Sequence, residues 1–374
     1  MAELEITHDP IYNTVNRDDF LSLIDVDRYA DRTDAFDGII SATVDHFWDP
    51  TDPAYVDFAK AEPFDLSEQL LMPREFTVEL QCAVADRLDE RQRIELANQS
   101  TRFMLSTILH GEQGALSLSA SLCQILRDPG AQEYAANQAR EEARHVTAYA
   151  RYVHTRFGTP LAAGPTIANL MTEIVRSPLV YKKLVGMQML IEGLAMGAFA
   201  TLHSMTEDPL LKRLVQMVMT DEAFHHKFGK IWADRTVPKL TEEEHEKVEQ
   251  WAADTFQVLL FNLVNAEQKQ AIYAPFGLEW QWVRSAILEA FGDTDRRAAM
   301  TRSTNIFRVL IKTLLKAGII TERTKPVYAQ WVDMDELASE DDEVVGADVA
   351  DAGIAELREI NRARKRVGRT FKRA

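Results

Sequence analysis

From residue 76 onward apolar positions recur three and four residues apart, the spacing of one helix face, and no stretch alternates as a half-buried strand would. The pattern predicts helices at about 76–87, 90–126, 130–157, 178–206, 209–235, 242–268, 274–292 and 298–316, with ends placed to within ~2 to 4 residues. Residues 1–75, rich in Asp, Pro and aromatics, predict an irregular N-terminal extension with one helix near Asp34 to Trp48. Gly158-Thr159-Pro160 and Ala163-Gly164-Pro165 break the chain between two pairs of long helices, leaving a crossover connection. Residues 76–330 are therefore expected to form one helical domain. Beyond it, 331–374 is expected to hold an acidic, flexible linker (Asp333 to Asp351) and a basic tail (Glu356 to Arg373), either docked as an amphipathic helix or solvated.

An internal repeat runs through the central helices. Glu142-Ala143-Arg144-His145 recurs as Glu222-Ala223-Phe224-His225, an offset of 80, and the lone glutamates Glu112 and Glu192 precede the two motifs by 30 residues each. The same offset carries Asp128-Pro129 onto Asp208-Pro209 and Glu141 onto Asp221, so one helical hairpin is repeated. Each Asp-Pro falls midway between its lone glutamate and its motif. At ~1.5 Å of rise per residue, both groups then sit roughly 20 Å from the turn and face each other. Residues three apart share a helix face, so Glu142 points with His145 and Glu222 with His225. Four helices thus deliver four carboxylates and two imidazoles to one interior point, the plan of a four-helix bundle with a two-metal carboxylate site.

Glu-x-x-His is a short pattern, and Glu5 to His8 and Glu242 to His245 also match it. Those two lie in polar surroundings, the second at a capped, solvated helix start. Glu192 instead sits inside Met189-Leu190-Ile191-Glu192-Gly193-Leu194-Ala195-Met196, where an unpartnered carboxylate would cost several kcal/mol or protonate. A compensating cation follows from that burial.

The chain has 374 residues, 27% charged and 46% hydrophobic, ordinary for a globular protein. Its formal charge of −16 disfavours nucleic acid as a partner. Two cysteines, Cys82 and Cys123, argue against a disulfide framework or a thiolate site and read as small core residues. The start lacks a signal-peptide pattern and no uncharged run is long enough to span a bilayer, so a cytoplasmic enzyme with no membrane partner is expected. Carboxylates and imidazoles without sulfur favour iron or manganese, and only a redox-active pair can pass two electrons to O2. In this reading Glu142 and Glu222 bridge, His145 and His225 hold one metal each, and Glu112 and Glu192 are terminal. Glu141 and Asp221 are candidate acceptors that fix the imidazole tautomers, or plain acidic groups.

With that ligand set the segment 90–235 resembles the ferritin-like di-iron carboxylate superfamily, in its oxygen-activating branch. Glu141-Glu142-Ala143-Arg144-His145 is similar to the first motif of acyl-carrier-protein desaturases, and Thr220-Asp221-Glu222-Ala223-Phe224-His225 to the second motif of the ribonucleotide reductase small subunit. The resemblance implies a ferritin-like bundle with additional helices at both ends, two iron ions (Mn/Fe as the variant), O2 as co-substrate, and bacterial multicomponent monooxygenase-like chemistry. Tyr149, four residues after His145, occupies the place of the reductase subunit's radical tyrosine, or is a core tyrosine. Phe47-Trp48 resembles that subunit's early Phe-Trp segment. Glu112 where many such subunits have Asp, and a basic rather than acidic tail, set the chain apart from it. The threonine that monooxygenases carry after the third carboxylate is missing, since 195 and 196 are Ala and Met, which leaves proton delivery to Thr201, Ser119 or water, or to a different chemistry.

Gly193, Ala195, Gly197, Ala198, Ala200 and Gly229, with Leu116, Ser119, Met196 and Phe199, mark either an apolar substrate cavity beside the metals or close helix packing. The expected activity is an O2-dependent hydroxylation, desaturation or related oxidation of an apolar or amphipathic small molecule. A radical-generating subunit using Tyr149 and a ferroxidase or iron-storage protein are the alternatives. No Gly-rich dinucleotide fingerprint or cysteine cluster occurs, so a ferredoxin or flavoprotein reductase must supply electrons, and the basic tail is one candidate docking element. A homodimer is expected.

Overall fold

The computed structural model describes residues 6, 9–30, 32–44, 46–263, 266–291, 306–341 and 345–364. Helices dominate, and among the described residues the only β pairing is a lone antiparallel bridge between Thr14 and Leu126. The chain is all-α.

Four long helices carry the predicted ligands. The Glu112 helix spans Glu90–Ile125 and starts in a capping box: Asp89 accepts from the Gln92 amide at 2.8 Å while Gln92 accepts from the Asp89 amide at 3.0 Å. The Glu142 helix, Pro129–Phe157, begins at Asp128, whose Oδ1 accepts from the Ala131 amide at 2.8 Å, with Pro129 where a missing N–H costs nothing. The Glu222 helix, Pro209–Thr236, repeats the device, Asp208 accepting from the Leu210 amide at 3.0 Å. Both repeated Asp-Pro pairs are helix starts. Between these lies the Glu192 helix, Val180–Met205, whose stretch Leu184–Ile191 winds as a π-helix immediately before Glu192.

The Glu142 and Glu222 helices run antiparallel. At one end Tyr152 and Arg156 bond Asp208 at 2.6 and 2.8 Å; at the other Tyr134 packs on Phe228 with ring centroids 4.6 Å apart. The N-terminal segment closes this second end, placing Phe36 on both Tyr134 (5.9 Å) and Phe228 (5.2 Å). Val180–Met205 is long and apolar enough to cross a membrane by composition, but 72% of its apolar 18-residue stretch is buried inside the protein.

Several elements differ from the sequence reading. The stretch 76–87 forms three short 3-10 turns, Arg74–Phe76, Val78–Gln81 and Ala85–Arg87, because it caps a cavity instead of lying along a flat helix face. The crossover holds a helix, Pro165–Arg176, its proline again in the first turn. The N-terminal helix is only Asp37–Thr43; that at 242–268 is described over Glu242–Leu263, with a 3-10 turn at Ala266–Lys269, and Gly277, at φ 67°, delays the next to Trp280–Ala290. The acidic stretch expected to be a flexible linker carries two helices, Met334–Ser339, capped by Asp333, and the start of Ala347–Ala363. This C-terminal helix lies on the Glu222 helix, where Gly353 permits contact with Thr220, and Asn361 bonds the Phe47 carbonyl at 2.8 Å. The predicted positions 298–305, the tail 365–373 and the Glu5 to His8 match lie outside the described residues, apart from position 6. Cys82 and Cys123 are free thiols, half-buried rather than fully in the core.

Candidate metal centre

All six predicted ligands are buried and meet. Potential ligand atoms of Glu112, Glu142, His145 and Glu222 lie within 4.8 Å of one another, as do those of Glu142, Glu192 and His225. Glu142 belongs to both groups. Its Oε2 is 3.3 Å from His145 Nδ1 and its Oε1 3.2 Å from His225 Nδ1. Glu222 repeats this with Oε1 3.2 Å from His145 Nδ1 and Oε2 3.1 Å from His225 Nδ1. Each of these two carboxylates therefore offers one oxygen to each imidazole, the geometry a bridging ligand needs, while Glu112, 3.1 Å from His145 Nδ1, belongs to one side and Glu192 to the other.

The outward nitrogens of the two rings exchange partners between repeats. His145 Nε2 lies 2.9 Å from Asp221 Oδ2 and His225 Nε2 lies 3.0 Å from Glu141 Oε2. Each motif's preceding acid thus serves the other motif's histidine. With Nε2–H donating outward, Nδ1 keeps its lone pair toward the centre, the tautomer a metal ligand requires. Asp221 also accepts from Trp48 Nε1 at 2.8 Å and Arg144 Nη2 at 2.9 Å, and His46 Nε2 lies 2.7 Å from it. Trp48 stacks on the His145 ring, centroids 6.1 Å apart.

The electrostatics are those of a site made for cations. Burial first, then Glu222 and Glu142, push Glu192 well above the usual carboxylate range, and burial raises Glu112 to about 8 against the pull of His145. For Glu142 burial acts upward too, yet His225 and His145 hold it below its ordinary value. Burial opposes ionisation of Asp221 as well, but Arg144, His145 and His46 keep it well below. Burial favours neutral rings in His145 and His225, and the surrounding carboxylates outweigh it, Glu112 foremost at His145 and Glu222 at His225. Glu192 Oε2 is buried with no hydrogen-bond partner. Six buried acids face one arginine and three imidazoles here, an excess of negative charge that two divalent ions would largely offset. An all-oxygen-and-nitrogen donor set with two shareable carboxylates fits iron or manganese.

Four polar residues of the site carry no repeat signal and escape the sequence reading. Gln138 Nε2 donates to Glu192 Oε1 at 2.9 Å and Glu142 Oε1 at 3.2 Å, and Gln188 Nε2 donates to Gln138 Oε1 at 3.1 Å. The others are His46 and Arg144. The offset of 80 pairs Gln138 with Val218 and Gln188 with Ile108, so self-comparison cannot find them.

A cavity of about 270 Å³ reaches Glu112, Glu142, Glu192 and Glu222. Its floor is one stripe of the Glu112 helix, Ser100, Phe103, Met104, Thr107, Ile108, Gly111, Glu112 and Ala115, spaced three and four apart. Of the positions read as marking a cavity, Phe199 is there, as are Ala195 and Ala198; Leu116, Ser119, Met196 and Gly229 are not. Leu116 and Ser119 lie beyond Glu112 toward the Asp128 turn, a side filled by Leu118, Leu122, Tyr134 and Phe228. A side chain at Gly229 would meet Gln188 Cβ at 2.9 Å, so that glycine serves close helix packing, and Met196 belongs to the core cluster that includes Tyr149 and Leu211. The small residues of the Glu192 helix divide: Ala195 and Ala198 line the cavity, while Gly197 makes room for Ile306. Tyr149 stacks behind Phe199 at 6.1 Å with its hydroxyl unpartnered, and burial, then Glu112 and Glu222, keep that hydroxyl protonated. Thr201 donates to the Gly197 carbonyl at 2.8 Å on its own helix and does not line the cavity.

The chain matches no family model, no curated protein and no solved structure.

Proposed function

We propose that this protein is an O2-dependent, non-haem di-iron oxidoreductase of ferritin-like architecture that oxidises an apolar or amphipathic organic molecule held in the cavity. The observation that carries the reading is the placement of Glu142 and Glu222, each with one oxygen beside either imidazole, at the wall of an apolar chamber. Glu142 and Glu222 would bridge, His145 with Glu112 would hold one ion, and His225 with Glu192 the other. Bound there, a reduced iron pair supplies the two electrons and the oxidising power that O2 chemistry requires. The chain's own part is to fix the donors: Asp221 and Glu141 hold the imidazole N–H groups, Gln138 tethers the inner oxygens of Glu142 and Glu192, and the apolar wall excludes water from the organic molecule. A ferredoxin or flavoprotein would return electrons.

Anaerobic titration with ferrous iron should load about two ions per chain, and admission of O2 should then consume the gas with oxidation of both irons. Glu142→Ala should hold no more than one ion and lose the O2 reaction. A wild-type chain that takes up fewer than two ions would sink the proposal.

A radical-generating role is the second reading, favoured by the unpartnered hydroxyl of Tyr149 and the hydrogen-bonded line from Trp48 through Asp221 to His145. Electron paramagnetic resonance after oxygenation separates the two, since only this role yields a signal that Tyr149→Phe abolishes.

A further inference from the structure

The cavity is apolar along most of its length, through Phe103, Met104, Ile108, Ile191 and Phe199, but not at its far end. There it is lined by Thr77, Glu79, Ser100 and Lys269, and Thr77 Oγ1, Glu79 Oε2 and Ser100 Oγ are all buried without a hydrogen-bond partner. Buried polar atoms in folded proteins are paired as a rule, because an orphan forfeits its bonds to water and gains none in exchange. Three orphans in the lining of one end of one chamber mark a place where a bound molecule completes the bonding.

We propose that Thr77, Glu79 and Ser100 form a headgroup subsite for an uncharged, hydrogen-bond-donating head, a hydroxyl or a carboxamide, on the organic molecule whose apolar body fills the cavity. This deepens the function proposed above and rests on the cavity being the organic molecule's chamber. The choice of head follows from the charges. Glu79 Oε1 already accepts from Lys269 Nζ at 2.9 Å and from the Tyr273 hydroxyl at 2.6 Å, so the carboxylate is balanced by a cation while its second oxygen has lone pairs to spare. A carboxylate head would face Glu79 with the one lining cation, Lys269, already paired to that acid, and an ammonium head would add a buried charge with no further counterion. A neutral donor answers Glu79 Oε2, and the two hydroxyls, each donor and acceptor, serve the rest of the head. Ser100 and Glu112 lie on the same helix stripe twelve residues apart, so the head binds roughly 18 Å from the metal ligands and the remote end of the chain lies beside them.

The test is calorimetric titration of the full-length protein with dodecan-1-ol, dodecanamide, dodecanoate and dodecyl methyl ether, the last unable to donate. The alcohol and amide should bind roughly tenfold or more tightly than the ether, and dodecanoate more weakly still. Ser100→Ala and Thr77→Val remove hydroxyls that bond nothing in the protein, so both variants should unfold at or above the wild-type temperature. Each should weaken the alcohol about three- to tenfold and leave the ether unchanged. Equal binding of alcohol and ether, tighter binding of dodecanoate, or variants that bind the alcohol as wild type does would each overturn the subsite and leave water as the partner of these oxygens. Because binding alone is read, a chain that takes the alcohol but not iron would remove the oxidoreductase reading and keep the subsite, and a chain that loads two irons but ignores the alcohol would do the reverse.

Discussion

Asp221 and Glu141 stand at equivalent places in the repeat, yet they are not equally burdened. Asp221 is approached within 3 Å by His145, His46, Trp48 and Arg144, whereas Glu141 meets His225 at 3.0 Å and Asn137 at 3.3 Å, with Arg144 and Arg140 farther off at 3.7 and 3.9 Å. An amide at 221 would turn a donor toward a ring of donors and leave Arg144, a buried cation, without its nearest counter-charge. Asp221→Asn should therefore weaken metal binding about 10- to 100-fold and destabilise the fold by roughly 3 kcal/mol or more, while Glu141→Gln should fall at the low end of the metal effect and barely move stability. Chelator competition with ferrous iron and urea unfolding measure the two. Equal losses in both variants would contradict the asymmetry.

Lys183 allows a pH prediction well away from the ligands. It is buried, bonded to Ser121 Oγ at 2.8 Å and the Val175 carbonyl at 2.7 Å, with no carboxylate paired to it among the described residues. Burial, and secondarily Arg17, lower its pKa from 10.5 to about 8. Below the folded value both folded and unfolded chains carry the proton, and the burial penalty is present in full. Between about 8 and 10.5 the unfolded chain binds more protons, so stability attributable to Lys183 rises with pH. The stability of wild type relative to Lys183→Met should thus climb by on the order of 2 kcal/mol from about pH 7.5 to pH 10, measured by urea unfolding. A flat difference would show that the ammonium is not penalised.

At the scale of elements, the legible parts were those with a chemical start signal. The helices that start after Asp89, Asp128 and Asp208 begin where the apolar spacing places them, and the two Asp-Pro turns prove to be their caps. Gly164-Pro165 is the same kind of start, read as a break because a proline after glycine punctuates loops equally well. The π-helix at Leu184–Ile191 has no sequence period of its own. It inserts a local shift just before Glu192, and that region of close packing is where Gly186 and Gly229 sit against Trp251 and Gln188. Small residues mark such approaches without saying which neighbour arrives. Gly353 shows how tight one is, since a side chain there would meet Thr220 Cγ2 at 2.6 Å, whereas one at Gly38 would meet nothing within 4 Å. Gly353→Val should lower stability by about 1–3 kcal/mol and loosen the C-terminal helix, and Gly38→Ala should raise it by up to ~1 kcal/mol. Thermal unfolding of the pair decides. A harmless Gly353→Val would mean that the C-terminal helix does not seat as closely on Thr220 as the distances require.

At the scale of the whole molecule, the metal centre was readable and the chamber beside it was not, for one physical reason. Ligands fixed by a repeated hairpin have a period that self-comparison reveals, but the cavity is walled by segments far apart in the chain: Phe76 to Glu79, Ile167 with Met171, and Ile306 with Phe307. No spacing links them. The Glu112 helix does supply a continuous floor, and one of its residues offers a direct test of what the chamber is for. Gly111 adjoins Glu112 on that stripe, and a Cβ built on it would meet no atom outside its own stretch of helix within 4 Å. A side chain there starts into open space, and replacing glycine inside a helix should add up to about 1 kcal/mol of stability. Gly111→Leu is therefore expected to unfold no lower than wild type and still take up about two irons per chain. Its affinity for dodecan-1-ol should nonetheless fall tenfold or more, because the plug lies between the headgroup end and the carboxylates, and oxidation of a chain-like molecule should fall with it. Unchanged binding in a stably folded, metal-loaded Gly111→Leu would mean that organic molecules reach the carboxylates by another route, and the assignment of this chamber would have to be given up.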